Sequence, residues 1–465
     1  MHRTNVLICL RQAILSGLKV TTLPTRYAWL DTALLSHARF LTNYWSGAWN
    51  HGTDESIALF GVGVTLNRAD YKNLAVQRLG AGITTSIDTQ GSTNEQSTGY
   101  ASFNYSLWGR AIAVLQNGGV DPGTTMATRR ALLAKFLTLA TNSLGKLHQL
   151  GDTEVQSTYP WVGTPLEYAG SFGTKGTVPP WRVGIYSAGY VFGRTGWGTD
   201  AARGFTGESA YSIRFGPPRA FHGHFDHTSI TYTARGRDII VDGGYAAYNA
   251  GAYRTWAVSP SAHSDLTTPL STYLNPTTRL TASSVKTNAE AYVLNDVPGS
   301  GISRVRSVLV LKDPDLLVTW DRASAKTAQA FQTLWHLPSD QRARVYSRTT
   351  AIAAASGDTT KTILFQVPFK QALPAGAILV KQAQTNPIQG WVYPSSFVRR
   401  SAPTIMLARS GRTASILSFV VPIRASGGVT YKTYWSGTTF VVSLKVGGRA
   451  VAVAISGGGS LYRAG

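Results

Sequence analysis

Along the first third of the chain, apolar residues recur every three to four positions; beyond it they alternate or form short unbroken runs. Asp31 to Tyr44 places Leu34, Leu35, Ala38, Phe40 and Leu41 near helical spacing. Asp54 to Leu66 predicts a second helix with Asp54 as N-cap. Ala69 to Leu79, ended by Gly80, predicts a third. Tyr100 to Leu115 predicts a fourth, closed by Asn117-Gly118-Gly119, and Thr128 to Leu147 a fifth. Helices joined by Gly- and Asn-containing loops imply an array of αα-hairpins arranged around an axis.

Gly170 to Gly184 contains Gly-Thr-Lys-Gly-Thr-Val-Pro-Pro-Trp and reads as a linker. Short β-branched segments follow it: Tyr211 to Phe215, Ser229 to Thr233, and Asp238 to Val241 before Asp242-Gly243-Gly244. Val305 to Leu311 and Leu316 to Trp320 flank Lys312-Asp313-Pro314-Asp315, a hairpin signal. Thr362 to Val367, Ile416 to Val421, Phe440 to Val446 and Val451 to Ile455 continue the series. Frequent strands without intervening helices imply an antiparallel β-sandwich. The expected organisation is α+β and multidomain, with a helical domain over 1–175 and a sandwich over 176–465, the break falling near Lys175.

Composition narrows the partner. At 465 residues and 43% hydrophobic, the chain is long enough for two or three domains and too apolar to be disordered. Lys plus Arg total 44 against 23 Asp plus Glu, a formal charge of +21, and such a field attracts polyanions. Only isolated basic pairs occur, such as Arg129-Arg130 and Arg399-Arg400, which argues against a nucleic-acid-binding tail. No apolar run is long enough to span a membrane. Cys9 stands alone, so an intramolecular disulfide is impossible. Over Met1 to Val20, Arg11 and Lys19 interrupt the apolar residues, and no clean signal peptide is visible. The 12 Trp and 21 Tyr suit sugar-ring platforms as well as cores.

Three clusters could carry chemistry. The densest is Phe221-His222-Gly223-His224-Phe225-Asp226-His227, remarkable in number because the chain has 9 His in all. In an extended segment His222 and His224 share a face, and Gly223 permits close approach. With Asp242 and His263 downstream, this offers a mixed nitrogen and oxygen set of the kind zinc accepts. Single loop histidines are ordinarily just satisfied polar residues; three within six positions weigh against that here. The second cluster, Trp49-Asn50-His51-Gly52, precedes a helix, and a capping role for Asn50 competes with a catalytic one. The third is the polar run Asp88 to Tyr100, followed by Tyr105; either tyrosine could be an acid or base, or a packing residue.

Taken together these segments resemble the heparinase II/III-like lyases, including oligoalginate lyases. The matching features, in order, are Asn50-His51, Glu95-Gln96-Ser97 leading to Tyr100, His222-Gly223-His224-Phe225-Asp226, and Gly236-Arg237-Asp238 leading through Asp242 to Gly244. The resemblance implies an incomplete (α/α) toroid followed by an antiparallel β-sandwich. Family members carry further toroid helices before the Asn-His pair, whereas 49 residues precede Asn50 here, so a short toroid is expected. Asn50 is implied to neutralise a uronate carboxylate, with His51 as its partner or the base. Tyr100 and Tyr105 both remain as the family tyrosine, Tyr100 ranking first because Glu95-Gln96-Ser97 closely precedes it, and His222 is the implied active-site histidine. Glu95, Gln96 and Arg219 are expected at the substrate. His224, Asp242 and His263 are the implied ligands of a divalent metal, zinc, in a structural role.

The implied reaction is β-elimination on a uronic-acid-containing glycan in a secreted, periplasmic or cell-surface setting. A non-catalytic binder of acidic glycans with the same fold and a zinc hydrolase using Asp226 as base are the alternatives. A nucleic-acid partner has no accompanying motif.

Overall fold

The computed structural model describes residues 1–268 and 273–464. Helices occupy the chain up to Gly170: α1 (His2–Leu18), α2 (Trp29–Asn43), α3 (Asn50–Thr65), α4 (Ala69–Ser86), α5 (Thr98–Asn117), α6 (Gly123–Leu139) and α7 (Pro165–Gly170). Two of the long ones, α2 and α5, bury a clear stripe. In α2 the buried positions are Leu30, Leu34, Ala38 and Leu41, and in α5 they include Ala101, Tyr105, Trp108 and Leu115. Three- and four-residue steps keep such positions on one side of a helix.

Several boundaries differ from expectation. The helix expected to start at Asp54 begins at Asn50, and Asp54 pairs with Arg110 instead of capping. The helix from Ala69 does not stop at Gly80 but runs to Ser86, since a single helical glycine costs only about 1 kcal/mol against alanine. The expected Thr128–Leu147 helix is shifted, as α6, to Gly123–Leu139; past it, Thr141 and Leu147 are bridged as a turn. α1 has no counterpart among the expected helices; Arg11, which breaks its apolar pattern, is paired with Asp31.

By compactness the chain divides into one unit of Met1–Glu95 with Tyr100–Phe136, and a second of Gln96–Gly99 with the chain from Leu137 onward. The second unit contains three main sheets. The first has five strands in sequential order: β1 (Val183–Tyr186), β2 (Tyr190–Arg194), β3 (Ala210–Arg214), β4 (Ile230–Ala234) and β5 (Arg237–Ile240). A ten-stranded antiparallel sheet is centred on two long strands, Leu316–His336 and Thr404–Arg424, paired from Leu317↔Val420 to His336↔Thr404. A four-stranded sheet runs from Val429 to Ala464.

The ten-stranded sheet is covered on both faces. Val308, Val310, Leu317, Leu364 and Val420 pack with Val191, Tyr211, Ile213 and Tyr232 of the five-stranded sheet. Their neighbours Leu309, Leu311, Leu316, Val318, Phe365 and Phe419 pack with Phe440, Val442, Leu444 and Val453 of the four-stranded sheet. Adjacent residues point to opposite faces, so a strand buried on both sides reads as a continuous apolar run rather than an alternation. The hairpin expected at Lys312–Asp315 is present, with Leu311 opposite Leu316.

Some of the arginines of this unit are buried and paired with acids. Arg214 pairs with Asp226 at 3.2 Å, Arg304 with Asp296 at 2.7 Å and Arg306 with Asp321 at 2.6 Å, all buried. These guanidiniums have their own carboxylates and add little to the external field.

Candidate functional site

The site in the strand-rich unit is organised by a residue the sequence did not single out. Asp152 lies in the turn Gly151-Asp152-Thr153, and its amide donates to the His222 carbonyl at 2.8 Å. Gly151 makes the approach possible: its φ is +60°, and a Cβ there would sit 2.5 Å from the carbonyl oxygens of Gln96 and His222. Gly223 serves the same purpose across the loop, where a Cβ would stand 2.3 Å from Gln96 Oε1. Gln96 itself, at a φ of 55°, pins this loop: its amide nitrogen donates to the Pro218 carbonyl at 3.0 Å and its oxygen accepts from the Ala220 amide at 2.6 Å.

The buried Asp152 carboxylate receives five hydrogen bonds. Oδ1 accepts from His224 Nε2 at 2.9 Å and Arg254 Nη1 at 2.5 Å. Oδ2 accepts from His222 Nδ1 at 3.1 Å, the Tyr248 hydroxyl at 3.0 Å and Arg254 Nη2 at 3.1 Å. Burial alone would raise the pKa of this acid, but the bonds from His222, His224 and Arg254 outweigh it and hold the carboxyl well below the usual aspartate range. An ionised carboxylate can only accept, so both imidazoles must present N–H to it. The tautomers follow: neutral His222 has its lone pair on Nε2, and neutral His224 has its own on Nδ1.

His224 Nδ1 is buried without a hydrogen-bond partner among the described residues. Burial lowers the pKa of this ring despite Asp152, which keeps it neutral. Its ring lies 5.3 Å from that of His263. His263 Nδ1 and Asp242 Oδ2 are 2.8 Å apart, and Asp242 Oδ1 accepts from the Gly244 amide at 2.9 Å. The donor atoms of His224, Asp242 and His263 all lie within 4.8 Å of one another, and all three residues are buried. Burial would lower His263, but Asp242 raises it to about 9. A proton on that ring compensates the Asp242 charge, and a divalent cation would do the same. Two imidazoles, one with an orphaned lone pair and its other nitrogen held by a carboxylate, plus one aspartate match the donor chemistry of zinc.

The segment from Phe221 is a turn rather than the extended stretch expected, with Phe221 at a φ of 46°. His222 and His224 nevertheless converge, because both are drawn to one carboxylate. His227 is committed elsewhere: its Nε2 bonds the Pro217 carbonyl at 2.9 Å. Asp226, the acid a hydrolytic alternative would need, is locked against Arg214 and lowered in pKa by that pairing against its burial. Arg219 donates through Nε to the Gly223 carbonyl at 2.7 Å, at the edge of the same loop.

The other sequence candidates belong to the helical unit. Asn50 opens α3, and its Oδ1 accepts from the His51 amide at 2.6 Å; His51 is exposed. Glu95 is buried and accepts from Asn104 at 3.2 Å. Tyr100 is half-buried, whereas Tyr105 is 2% exposed on the inward stripe of α5, with the Arg130 guanidinium 4.0 Å from its ring centre.

Sequence reasoning missed Asp152, Tyr248 and Arg254. Tyr248 is 59% exposed, and its hydroxyl lies 3.0 Å from His222 Nδ1. Arg254 sits on the short helix Ala252–Val258, its guanidinium 4.8 Å from the Tyr248 ring centre. The available signal was scarcity: the chain has 23 acids in 465 residues, and two of them, Asp152 and Glu154, follow Gly151.

The profile of the family described as "Heparinase II/III-like, C-terminal" matches residues 189–428, just over half of the chain. The chain belongs to the heparinase II/III-like polysaccharide lyase family. No curated protein matches the chain by sequence. Among solved structures, a crystal structure of heparinase III superposes with a TM-score of 0.79 at 14% identity, covering 97% of this chain and 74% of that one. Heparan sulfate lyase HepC from Pedobacter heparinus gives 0.75 at 14% identity, covering 94% and 69%. The fold of this heparinase II/III-like chain is accordingly an incomplete (α/α) toroid followed by an antiparallel β-sandwich.

Proposed function

We propose that this heparinase II/III-like chain cleaves uronic-acid-containing glycans by β-elimination, with His222 and Tyr248 at the reacting sugar and Asp152 holding them in place. The observation that carries the reading is the shared Asp152 carboxylate, which fixes the His222 tautomer beside a tyrosine hydroxyl, within the unit that the lyase family profile matches.

In β-elimination the C5–H bond breaks, a C4–C5 double bond forms and the C4–O bond to the next sugar breaks. Negative charge builds on the uronate carboxylate as the C5 proton leaves, so donors aimed at that carboxylate lower the barrier. His222, when protonated, donates from Nε2 to the carboxylate, since its other nitrogen is committed to Asp152. Arg219 adds positive charge at the rim. A tyrosine accepts the C5 proton or returns one to the leaving oxygen; no water is consumed. Tyr248 is the tyrosine next to His222. Asn50, His51 and Tyr100 take their parts from the family resemblance alone, Asn50 as a carboxylate-neutralising residue and Tyr100 as the acid; Tyr105 is the other candidate for the acid, and its burial favours Tyr100.

His224, Asp242 and His263 would hold a divalent metal such as zinc, whose positive charge would order the loops behind His222. The acidic substrate classes are those the heparinase-type neighbours make plausible, sulfated glycosaminoglycans, together with alginate and other uronate polymers. Export to the periplasm or cell surface follows from the size of such substrates.

Incubating the protein with a panel of heparan sulfate, hyaluronan, chondroitin sulfate and alginate tests this. Ultraviolet absorbance from the new double bond should rise with one or more of them. New reducing ends without that absorbance would mean hydrolysis and would end the reading.

A further inference from the structure

The hairpin Trp391–Ser395/Val398–Ser401 lies outside the residues used so far, yet it is stitched to the loops that carry Asp152, Asp242 and Tyr248. The Tyr393 amide donates to the Gly243 carbonyl at 2.9 Å, and the Tyr393 carbonyl accepts from Gln149 Nε2 at 2.8 Å. The Val155 amide donates to the Pro394 carbonyl at 2.8 Å. At the tip, the Ser396 amide and hydroxyl donate to Glu154 Oε1 at 2.8 and 2.7 Å, and its carbonyl accepts from the Ala247 amide at 2.8 Å. The anchoring positions therefore flank Asp152 on one side and lie between Asp242 and Tyr248 on the other.

The residue after Ser396 is Phe397, whose ring is 85% exposed. An exposed phenylalanine on a loose turn would carry no message. Here Ser396 is buried and bonded through its amide, hydroxyl and carbonyl, so the tip is held in one place with its largest apolar side chain facing water. With the backbone held, only the rotamers of the ring itself remain to be ordered when a ligand arrives. Phe397 and Tyr248 each stand one residue from the same 2.8 Å hydrogen bond, between Ser396 and Ala247. Arg399, two positions along the strand from Phe397, is also fixed: its guanidinium lies 3.8 Å from the Tyr253 ring centre and 4.4 Å from that of Trp391. An exposed aromatic on an anchored turn, two positions from a stacked cation, offers the recognition chemistry of a sugar ring bearing an anionic group.

We infer that this hairpin is a glycan subsite flanking the reacting sugar: Phe397 stacks on the C–H face of a neighbouring ring of the acidic chain, and Arg399 meets that ring's carboxylate or sulfate. The inference rests on the lyase reading for the identity of its ligand, and binding and turnover are therefore measured separately.

Wild type, Phe397→Ala, Phe397→Trp and Arg399→Gln are compared by affinity electrophoresis through gels holding alginate, which has carboxylates only, or heparan sulfate. Turnover of oligosaccharides of each is followed by ultraviolet absorbance. Phe397→Ala should weaken retardation and raise KM by about fivefold to tenfold, with a smaller change in kcat, as expected for one aromatic contact. Phe397→Trp should restore both. Arg399→Gln should weaken retardation in both gels if it reads any anion, and in heparan sulfate alone if it reads sulfate. A folded Phe397→Ala protein that is retarded and turns over like wild type overturns the subsite while leaving the lyase reading intact. A wild type that is retarded but yields no unsaturated product overturns the lyase reading, and the Phe397 comparison in the gel still decides the subsite.

Discussion

The two units present their candidate residues in different ways. In the helical unit, Asn50, Tyr100 and Tyr105 sit on regular helices, where 3.6 residues per turn decide which side chain faces in. Tyr105 falls on the buried stripe of α5 with Ala101 and Trp108, and Tyr100 falls beside it, half-buried. In the strand-rich unit, His222, His224, Asp242, Tyr248 and His263 all lie outside the strands, on connections whose path no periodicity fixes. A buried carboxylate holds several of these loops together there. Helix geometry thus places one residue at a time, whereas the Asp152 network places His222, His224, Tyr248 and Arg254 as a set, and losing its centre should disturb all of them.

The largest test of that contrast is Asp152→Asn. The amide cannot accept what the carboxylate accepts, and its nitrogen would face donors, so His222 is released from its tautomer and Arg254 from its counter-charge. Turnover should fall on the order of 10²- to 10⁴-fold, the scale of a lost acid–base arrangement, in a protein that still shows native circular dichroism. Wild-type turnover in this variant would remove Asp152 from the account.

Next in size is the pair of tyrosines. Tyr100→Phe should cost about 10²-fold or more in rate with little change in melting temperature. Tyr105→Phe should leave the rate within a few-fold, because the ring lies in the core under Arg130. The reverse ranking would show that helix-face burial misassigns the acid.

The smallest of the three concerns the metal. Zinc bound at His224, Asp242 and His263 should stabilise the strand-rich unit by about 3 to 4 kcal/mol when well above its dissociation constant. Chelation should therefore lower the melting temperature, and zinc readdition should restore it. Asp242→Ala should abolish the difference between chelated and zinc-loaded samples. Identical melting with and without zinc in the unmodified protein would mean that the two histidines and the aspartate form a structural hydrogen-bonded cluster only.

Much of this was legible in the residues alone. The change from helical spacing to strand spacing gave the order of the elements, and strand runs such as Val305 to Leu311 were apolar enough to be seen directly. That His224, Asp242 and His263 come together was readable because histidine and aspartate are scarce in the chain and these three stand in a recognisable motif. Helix ends were less readable: Gly80 looks like a stop but lies within α4, and Asp54 looks like a cap but is paired with Arg110. The signals used were local, and in both places contacts with distant residues outweighed them.

Sequence by itself determined which residue types were available for chemistry and which stretches would be helix or strand, because periodicity and composition act over neighbouring positions. Only the tertiary structure decided that Asp152, 70 positions before His222, is the acid that orients it, and that the turn carrying Phe397 is bonded to the loop carrying Tyr248. Buried charge pairs and loop-to-loop hydrogen bonds are made between segments far apart in the chain, and their partners leave no periodic mark in the order of the residues.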